Sequence, residues 1–192
     1  MFLYPKIKET CSYVLMSKKK KHTLLCQKEE KPVLMSKEET PILNEHNKQE
    51  YPPAHTAEHI LNQTMVRMFG CSRSRVNHIE RKKSKCNYDL PVCPTEEQIR
   101  QVETEVNRII NADMPVTSRY VTRDEVPSSI DLSKLPTDAS DTLRLVYVGD
   151  YDVCPCLGAH VENTSEIGSF RISSTSYADG NFRIVFRVSA AV

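Results

Sequence analysis

The amino-acid sequence predicts an α+β fold in which helices pack against an antiparallel sheet. Two segments carry apolar residues at helical spacing, and five to six segments show the short alternating pattern of strands. Hairpin-like segments join most of the strands, an order that is typical of an α+β domain. The sequence contains no internal repeat.

The first helix is predicted at residues 55–69. A stiff lead-in with two prolines, residues 51–53, suits the positions before a helix, and Gly70 is placed to end it. The predicted apolar face consists of Ile60, Leu61, Met65, Met68 and Phe69.

The second helix is predicted to follow a capping box at residues 95–98. Thr95 is the cap, Gln98 stands three residues later, and two glutamates occupy the first turn. A Met-Pro pair at residues 114–115 closes this helix. Its apolar positions are Ile99, Val102, Val106, Ile109 and Ile110.

The remaining elements are predicted to be strands. Turn signals lie at residues 81–84 and 177–181, and the polar residues 127–141, preceded by a short helix near Asp124, separate two further strands. The predicted strands are residues 75–80, 85–90, 115–122, 143–149, 167–173 and 182–188. The strand at 143–149 leads the chain toward Cys154 and Cys156.

The composition predicts one globular domain with an N-terminal extension. The chain has 192 residues, of which 39% are hydrophobic and 27% charged, values that suit a domain with a proper core. Residues 51–192 are predicted to form this domain, and residues 1–50, with their lysine runs, are expected to be poorly ordered. Met16 and Met35 are both followed by Ser-Lys, so we hypothesise that part of residues 1–34 is a start-site artefact. The intact mass of the native protein tests this.

Charge and cysteine content narrow the functional class. The net charge is +1, but the first 34 residues hold eight lysines and three glutamates, which leaves a slightly acidic body. Any nucleic-acid contact is therefore expected to be a local patch. No apolar run is long enough for a membrane span and no signal peptide is evident, so a cytoplasmic protein is expected. Seven cysteines in a reducing compartment favour metal binding or catalysis over disulfides. The oligomeric state is left open.

Two pairs of potential metal ligands stand out. His55 and His59 are four residues apart, which places them on one face of a helix, and Cys156 and His160 repeat this spacing further along the chain. Either pair alone is weak evidence, because histidine pairs commonly face solvent and free cysteines are commonly buried and inert. Together, three imidazoles and one thiolate predict a tetrahedral Zn²⁺ site.

Three stretches resemble a known family. Residues 55–61, 106–110 and 156–172 resemble the second additional domain of threonyl- and alanyl-tRNA synthetases, which freestanding alanyl-tRNA editing proteins of the AlaX type share. The most specific part is the Cys-x-Gly-x-His-Val…Thr-x-Glu-Ile-Gly-x-Phe string that begins at Cys156. The resemblance covers about residues 51–188 and implies the editing-domain architecture.

The resemblance also implies a function. Such domains bind the acceptor end of a mischarged tRNA and, without ATP, hydrolyse the ester that links the wrong amino acid to the terminal ribose. Serine or glycine on alanine tRNA is the leading substrate, and serine on threonine tRNA is the next. The expected activity is that of an aminoacyl-tRNA deacylase and not of an aminoacylating ligase. Because the sequence shows neither an aminoacylation domain nor the glycine-rich barrel of longer relatives, the protein is expected to act in trans.

Residue roles follow from the resemblance. His55, His59, Cys156 and His160 match the four metal positions of the family, and Cys154 is an extra thiol. Thr56 matches a hydroxyl near the amino acid, although a helix-start residue that bonds its own backbone is an equal alternative. Zinc could polarise a carbonyl, lower the pKa of bound water or orient the substrate. Four protein ligands are more typical of a structural site, so catalytic and structural roles both stay open.

Departures from the family pattern put the identity of the substrate in doubt. Leu157 and Ala159 replace the usual glycine and threonine, which alters the lining of the pocket. The family's usual arginine-rich run near the end is reduced at residues 180–184, which affects a region of tRNA contact.

Two other functions compete with this interpretation. His-x-x-Glu-His also matches the inverted zincin motif, in which Glu58 would be the general base of a peptidase, although that motif expects an acidic third ligand. Alternatively, the domain is a catalytically degenerate module that binds tRNA or another partner. The best candidate for phosphate contact is a basic strip, which could equally be a solubilising hairpin. It comprises Arg73, Arg75, Arg81, Lys82, Lys83 and Lys85.

Overall fold

A computed structural model describes residues 51–74, 76–128, 130, 132, 135 and 140–189. The predicted N-terminal extension, its start sites and Arg75 lie outside the described residues. Two α-helices, seven β-strands and two short 3₁₀ helices are present within them, which confirms the α+β class. In chain order they are α1 (Pro52–Phe69), β1 (Asn77–His78), β2 (Ser84–Asp89), α2 (Glu96–Asn111), β3 (Val116–Thr122), a 3₁₀ helix (Arg123–Glu125), β4 (Thr142–Val148), β5 (Asp152–Pro155), a 3₁₀ helix (Thr164–Ile167), β6 (Ser169–Ala178) and β7 (Asn181–Ser189).

The described strands form two antiparallel sheets. The larger has the order β1-β2-β7-β6 and the smaller the order β3-β4-β5. In the larger sheet β2 pairs with the much later β7, with Cys86 opposite Ile184. The β6–β7 hairpin turns at Asp179 and Gly180, whose φ angles of 50° and 78° are those of a tight two-residue turn.

Helix α1 packs in the core of the domain, and its residues 54–62 are buried on every side. It begins three residues earlier than predicted, because Pro52 and Pro53 occupy the first turn, where proline needs no hydrogen-bond partner. Gly70 ends the helix with a φ of 64°, as predicted. Met68, which was predicted on the apolar face, is exposed.

Helix α2 packs its apolar face on the core and covers an edge of the larger sheet. The capping box is confirmed, with the Gln98 backbone N–H donating to Thr95 Oγ1 at 3.2 Å and the Thr95 N–H donating to the Gln98 side chain at 2.9 Å. The side chain of Asn107 donates to the Phe170 carbonyl at 2.8 Å and accepts from the Phe170 N–H at 2.9 Å. This pair of hydrogen bonds satisfies the outer edge of β6 and fixes α2 against it.

The smaller sheet carries the chain back to α1. Strand β5, which was not predicted, pairs with β4 so that Cys154 lies opposite Val146. It was missed because four residues with a proline and a cysteine give no alternating pattern. Within the described residues no helix is both long and apolar enough to cross a membrane.

Candidate metal centre

Four side chains from two distant parts of the chain meet beside α1. His55 and His59 lie on one face of the helix and are 6% and 3% exposed. Cys156 and His160 lie on the loop after β5, which is not helical. One ligand atom from each of the four lies within 4.8 Å of the others, and the Cys156 Sγ is 3.4 Å from the Nε2 atoms of His55 and His160. The structure therefore brings the four predicted ligands together in a group that could hold a metal ion.

Arg144 on β4 holds the loop that carries two of these ligands. Its guanidinium donates to the Gly158 carbonyl at 2.8 Å and to the Cys156 carbonyl at 3.2 Å, and its own carbonyl accepts from the Cys156 N–H at 3.0 Å. Three hydrogen bonds thus fix the backbone around the thiol. Arg144 was not among the predicted site residues, because an arginine between apolar strand residues looks like an ordinary solvent-facing position. The available signal was the interruption of an apolar strand.

Each imidazole has an oxygen atom beside its Nδ1. His55 Nδ1 lies 3.2 Å from the Ala159 carbonyl, and His160 Nδ1 lies 3.1 Å from Thr56 Oγ1. His59 Nδ1 lies 3.4 Å from Asp152 Oδ2, an ion-pair distance without the alignment of a hydrogen bond. An oxygen beside Nδ1 favours the tautomer that leaves Nε2 free for a metal. Asp152 is an outer contact of His59 and was not among the predicted site residues.

Thr56 lies behind the group of ligands and is completely buried. Its hydroxyl donates to the Pro52 carbonyl at 3.0 Å, so the backbone bond given as the alternative is present. The same oxygen lies beside His160 Nδ1 and accepts from the Val161 N–H at 3.3 Å. Thr56 therefore positions His160 and its loop, and it does not line the adjacent cavity.

Electrostatics distinguish the two neighbouring thiols. Burial raises the pKa of Cys156, but hydrogen bonds from His160, His55 and His59 outweigh it and lower the pKa to about 3. Burial raises the pKa of Cys154 to about 12. At neutral pH Cys156 is thus a thiolate, the form that binds metals, whereas Cys154 is a neutral thiol.

The pKa values of His59 and His160 shift in opposite directions. Burial lowers the pKa of His59, but Asp152 and Cys156 outweigh it and raise that pKa to about 9. Burial lowers the pKa of His160 to about 4, against the hydrogen bond to Cys156. The site therefore combines one imidazole stabilised in its charged form with one stabilised in its neutral form.

A cavity of about 440 Å³ opens beside the four ligands. Its wall includes His55, His59 and Cys156 together with Cys154 and the polar side chains of Glu58, Asn62 and Asn77. Glu58 is only 5% exposed, and its Oε1 accepts from the amide of Asn62 and, at 2.5 Å, from the amide of Asn77. Ligands of the candidate metal centre and a group of polar side chains therefore line the same cavity.

The structure divides the basic strip into two parts. The guanidinium of Arg73 makes two hydrogen bonds to the buried carboxylate of Asp152, at 2.6 and 3.2 Å, and so belongs to the surroundings of His59. Burial lowers the pKa of Arg73, but Asp152 outweighs it and raises that pKa. Arg81, Lys82 and Lys83 are exposed in the turn between β1 and β2, where Arg81 lies 5.3 Å above the Tyr51 ring. Lys85 is half-buried in β2.

The second half of the domain matches a known protein family. Residues 143–185 match the family described as "Threonyl and Alanyl tRNA synthetase second additional domain". The matched residues run from β4 into β7 and include Cys156 and His160, whereas His55 and His59 precede them.

Comparison with individual proteins extends the similarity. The chain is 31% identical over 147 residues to the alanine–tRNA ligase of Halorubrum lacusprofundi. This match covers 71% of the chain and 15% of the ligase. It is 30% identical over 130 residues to that of Wolinella succinogenes, covering 67% and 15%. It is 33% identical over 120 residues to the alanyl-tRNA editing protein AlaX-L of Pyrococcus horikoshii, covering 62% and 28%. The chain thus spans less than a third of the length of each of these relatives.

Proposed function

We propose that this chain, which belongs to the threonyl and alanyl tRNA synthetase second additional domain family and is homologous to alanyl-tRNA editing proteins, is a zinc-dependent hydrolase that deacylates mischarged tRNA. The observation that carries the proposal is that three of the four ligands, His55, His59 and Cys156, lie in the wall of a cavity. A metal that was only structural would need no access to such a cavity.

The four ligands fit zinc in kind and in spacing. Three imidazoles and a thiolate are a donor set that Zn²⁺ accepts. Tetrahedral zinc with ordinary bond lengths places sulfur and nitrogen about 3.5 Å apart, and the Sγ of Cys156 lies 3.4 Å from Nε2 of both His55 and His160. His55, His59, Cys156 and His160 would hold the ion, which when bound would supply positive charge to polarise or orient the ester.

The cavity favours a small polar aminoacyl group. Its volume lies within the range of about 300–1,000 Å³ that is usual for small-molecule sites. Asn62, Asn77 and Glu58 give its wall the hydrogen-bonding capacity that serine needs. We therefore propose Ser-tRNA(Ala) or Gly-tRNA(Ala) as substrate, with Ser-tRNA(Thr) as the next choice. Hydrolysis breaks the acyl C–O bond, water supplies the hydroxyl of the released acid, and a proton goes to the ribose oxygen.

The residues of the chain itself have supporting roles in this proposal. Arg144 fixes the loop of Cys156 through two backbone carbonyls, and Thr56 orients His160. Asp152 lies beside Nδ1 of His59 and is itself held by an ion pair with Arg73, so these two residues together fix His59. The exposed Arg81, Lys82 and Lys83 are proposed to contact tRNA phosphates.

The proposed setting is the cytoplasm, with the protein acting in trans on tRNA. Its support is the chemistry of the site: Cys156 is a reduced thiol without a disulfide, and the site needs it as a thiolate.

One specific observation favours a second function, a zinc-stabilised module that binds tRNA without hydrolysing it. Four protein ligands close the coordination of zinc, and closed sites are usually structural. The peptidase alternative has less support, because that motif expects an acidic third ligand, whereas the ligand group contains Cys156 and His160 in addition to the two histidines of α1.

The test is deacylation of Ser-tRNA(Ala), Gly-tRNA(Ala) and Ser-tRNA(Thr), with zinc content measured on the same samples. Cys156→Ala is expected to lose both zinc and hydrolysis, whereas Cys93→Ala, at an exposed cysteine, keeps both. Stoichiometric zinc without hydrolysis of any of the three substrates would favour the binding module.

A further inference from the structure

The carboxylate of Glu58 is buried in the cavity wall with one oxygen engaged and one oxygen available. Oε1 accepts from the amides of Asn62 and Asn77. Within the described residues Oε2 makes neither a hydrogen bond nor an ion pair. Two amides therefore hold the carboxylate in a fixed orientation, and its second oxygen keeps its full capacity to accept hydrogen bonds.

A second acceptor without a donor lies beside it. Asn77 uses its amide nitrogen on Glu58, and its Oδ1 is buried without a hydrogen-bond partner. Such an orphaned oxygen is costly unless a ligand or water supplies a donor. Glu58 and Asn77 both line the cavity, so its wall contains two oxygen acceptors that the described protein groups do not satisfy.

Among the described residues no cation makes an ion pair with Glu58, and the nearby Arg73 and His59 attract its charge only from a longer distance. The Arg73 guanidinium, which also lines the cavity, gives both terminal nitrogens to Asp152. A buried carboxylate is normally paired, so its neighbours here favour a cationic ligand. A ligand with at least two N–H donors would satisfy both oxygens, and a positive charge on it would also pair the carboxylate.

We infer that Glu58 and Asn77 form the subsite for the α-ammonium group of the aminoacyl ester, so that the site accepts aminoacyl-tRNA and rejects N-acylated aminoacyl-tRNA. A primary ammonium has three N–H donors and one positive charge, which match one carboxylate oxygen and one amide oxygen. Because this group is bonded to the carbon next to the ester carbonyl, holding it at this subsite fixes the ester near the four ligands. The inference rests on the proposed function and adds a positioning role to Glu58.

An N-acyl group removes the positive charge and two of the three donors. The subsite then leaves the Glu58 carboxylate unpaired in a buried position. The preference for a free amine is expected to be about 10- to 100-fold, the value of a hydrogen bond to a charged group. The site would consequently spare tRNA that carries a peptide or a formylated amino acid.

The test uses binding, which does not depend on hydrolysis. The probes are 3′-serylamino-3′-deoxyadenosine, a stable amide analogue of the acceptor end, and its N-acetyl derivative. Dissociation constants are measured for the full zinc-loaded chain at pH 6.5, where an α-amino group with an ordinary pKa of about 8 is protonated. The variants are Glu58→Gln and Asn77→Ala, and the control is Glu80→Gln, an exposed carboxylate paired with His78.

The parent and the control are expected to bind the free amine about 10- to 100-fold more tightly than the N-acetyl analogue. Glu58→Gln should abolish this ratio, and Asn77→Ala should reduce it, with zinc content and melting temperature near those of the parent. A parent that binds both analogues equally overturns the inference, whether or not the variants fold. So does a Glu58→Gln variant that keeps the full ratio, because the amine is then held elsewhere, for example by the metal.

Hydrolysis of Ser-tRNA(Ala) and N-acetyl-Ser-tRNA(Ala) by the same samples separates the two claims. If the parent binds the free amine more tightly but hydrolyses neither substrate, the subsite stands and the proposed enzymatic function is wrong. Hydrolysis of both substrates at equal rates retains the enzyme and removes the subsite. A Glu58→Gln variant that slows both substrates equally assigns Glu58 to another role and also overturns the inference.

Discussion

The Sγ atom of Cys156 lies 3.4 Å from Nε2 of His55, although 101 residues separate the two along the chain. One residue sits on a buried helix and the other on a loop after a short strand. The group is therefore assembled only when the smaller sheet has packed on α1. A metal bound there would link these two parts of the domain directly.

Removal of the metal is expected to destabilise the protein. A ligand that binds only the folded state adds stability, and a loss of a few kcal/mol in a chain of this size lowers the melting temperature by about 10 °C. The measurement is thermal unfolding before and after treatment with a chelator, with zinc added back. Cys156→Ser should already melt low and not respond to chelator. An unchanged melting temperature in the parent would contradict a metal link between α1 and the loop.

Asp152→Asn is expected to weaken zinc binding about 10- to 100-fold, because outer contacts of a metal-bound histidine have effects of this size. Asp152 lies beside His59 Nδ1 and is held by Arg73. Zinc affinity is measured by competition with a coloured chelator. The matched control is Asp150→Asn, at an exposed carboxylate two residues away. Equal affinities for the parent and Asp152→Asn would show that Asp152 does not support the centre.

Arg144→Lys is expected to reduce deacylation while the fold is retained. A lysine ammonium cannot span the Cys156 and Gly158 carbonyls as the guanidinium does, so about 1–3 kcal/mol of loop stabilisation is lost. The readouts are deacylation rate and zinc affinity, with Arg171→Lys, an exposed arginine on β6, as control. If both variants behaved as the parent does, the loop would be held by other contacts.

Replacement of Arg81, Lys82 and Lys83 by glutamine is expected to weaken tRNA binding at every sequence tested. Each phosphate contact that is lost should reduce the slope of log affinity against log salt by about 0.7–0.9. Binding is measured between 50 and 200 mM salt, because six phosphate contacts change the affinity by about 10³-fold or more across this range. Arg171 and Arg187, exposed on the larger sheet, supply the matched double control. An unchanged slope would mean that the turn only keeps the protein soluble.

The elements with local signals were predictable. The capping box of α2 and the αL glycine after α1 depend on residues within one turn of each other, and both were found where the sequence placed them. The i,i+4 ligand pairs were visible for the same reason, and their convergence followed from the donor set.

Features that depend on tertiary packing were not predictable. Strand β5 exists because β4 offers it a partner, and the division into two sheets follows from long-range pairing such as that of β2 with β7. Arg144 and Asn77 reach the surroundings of the ligands only through tertiary packing. Asp152 lies four residues before Cys156, but no local signal marks its contact with His59. Arg73 was assigned to a surface strip because its position next to other basic residues conceals its buried partner, Asp152.

The most direct test of the central claim is deacylation of Ser-tRNA(Ala) by one preparation in three states: as purified, after chelation, and after one equivalent of zinc is restored. We expect hydrolysis in the first state, its loss in the second and its recovery in the third, in proportion to bound zinc. Hydrolysis that persists at full rate in the folded, metal-free protein would contradict it.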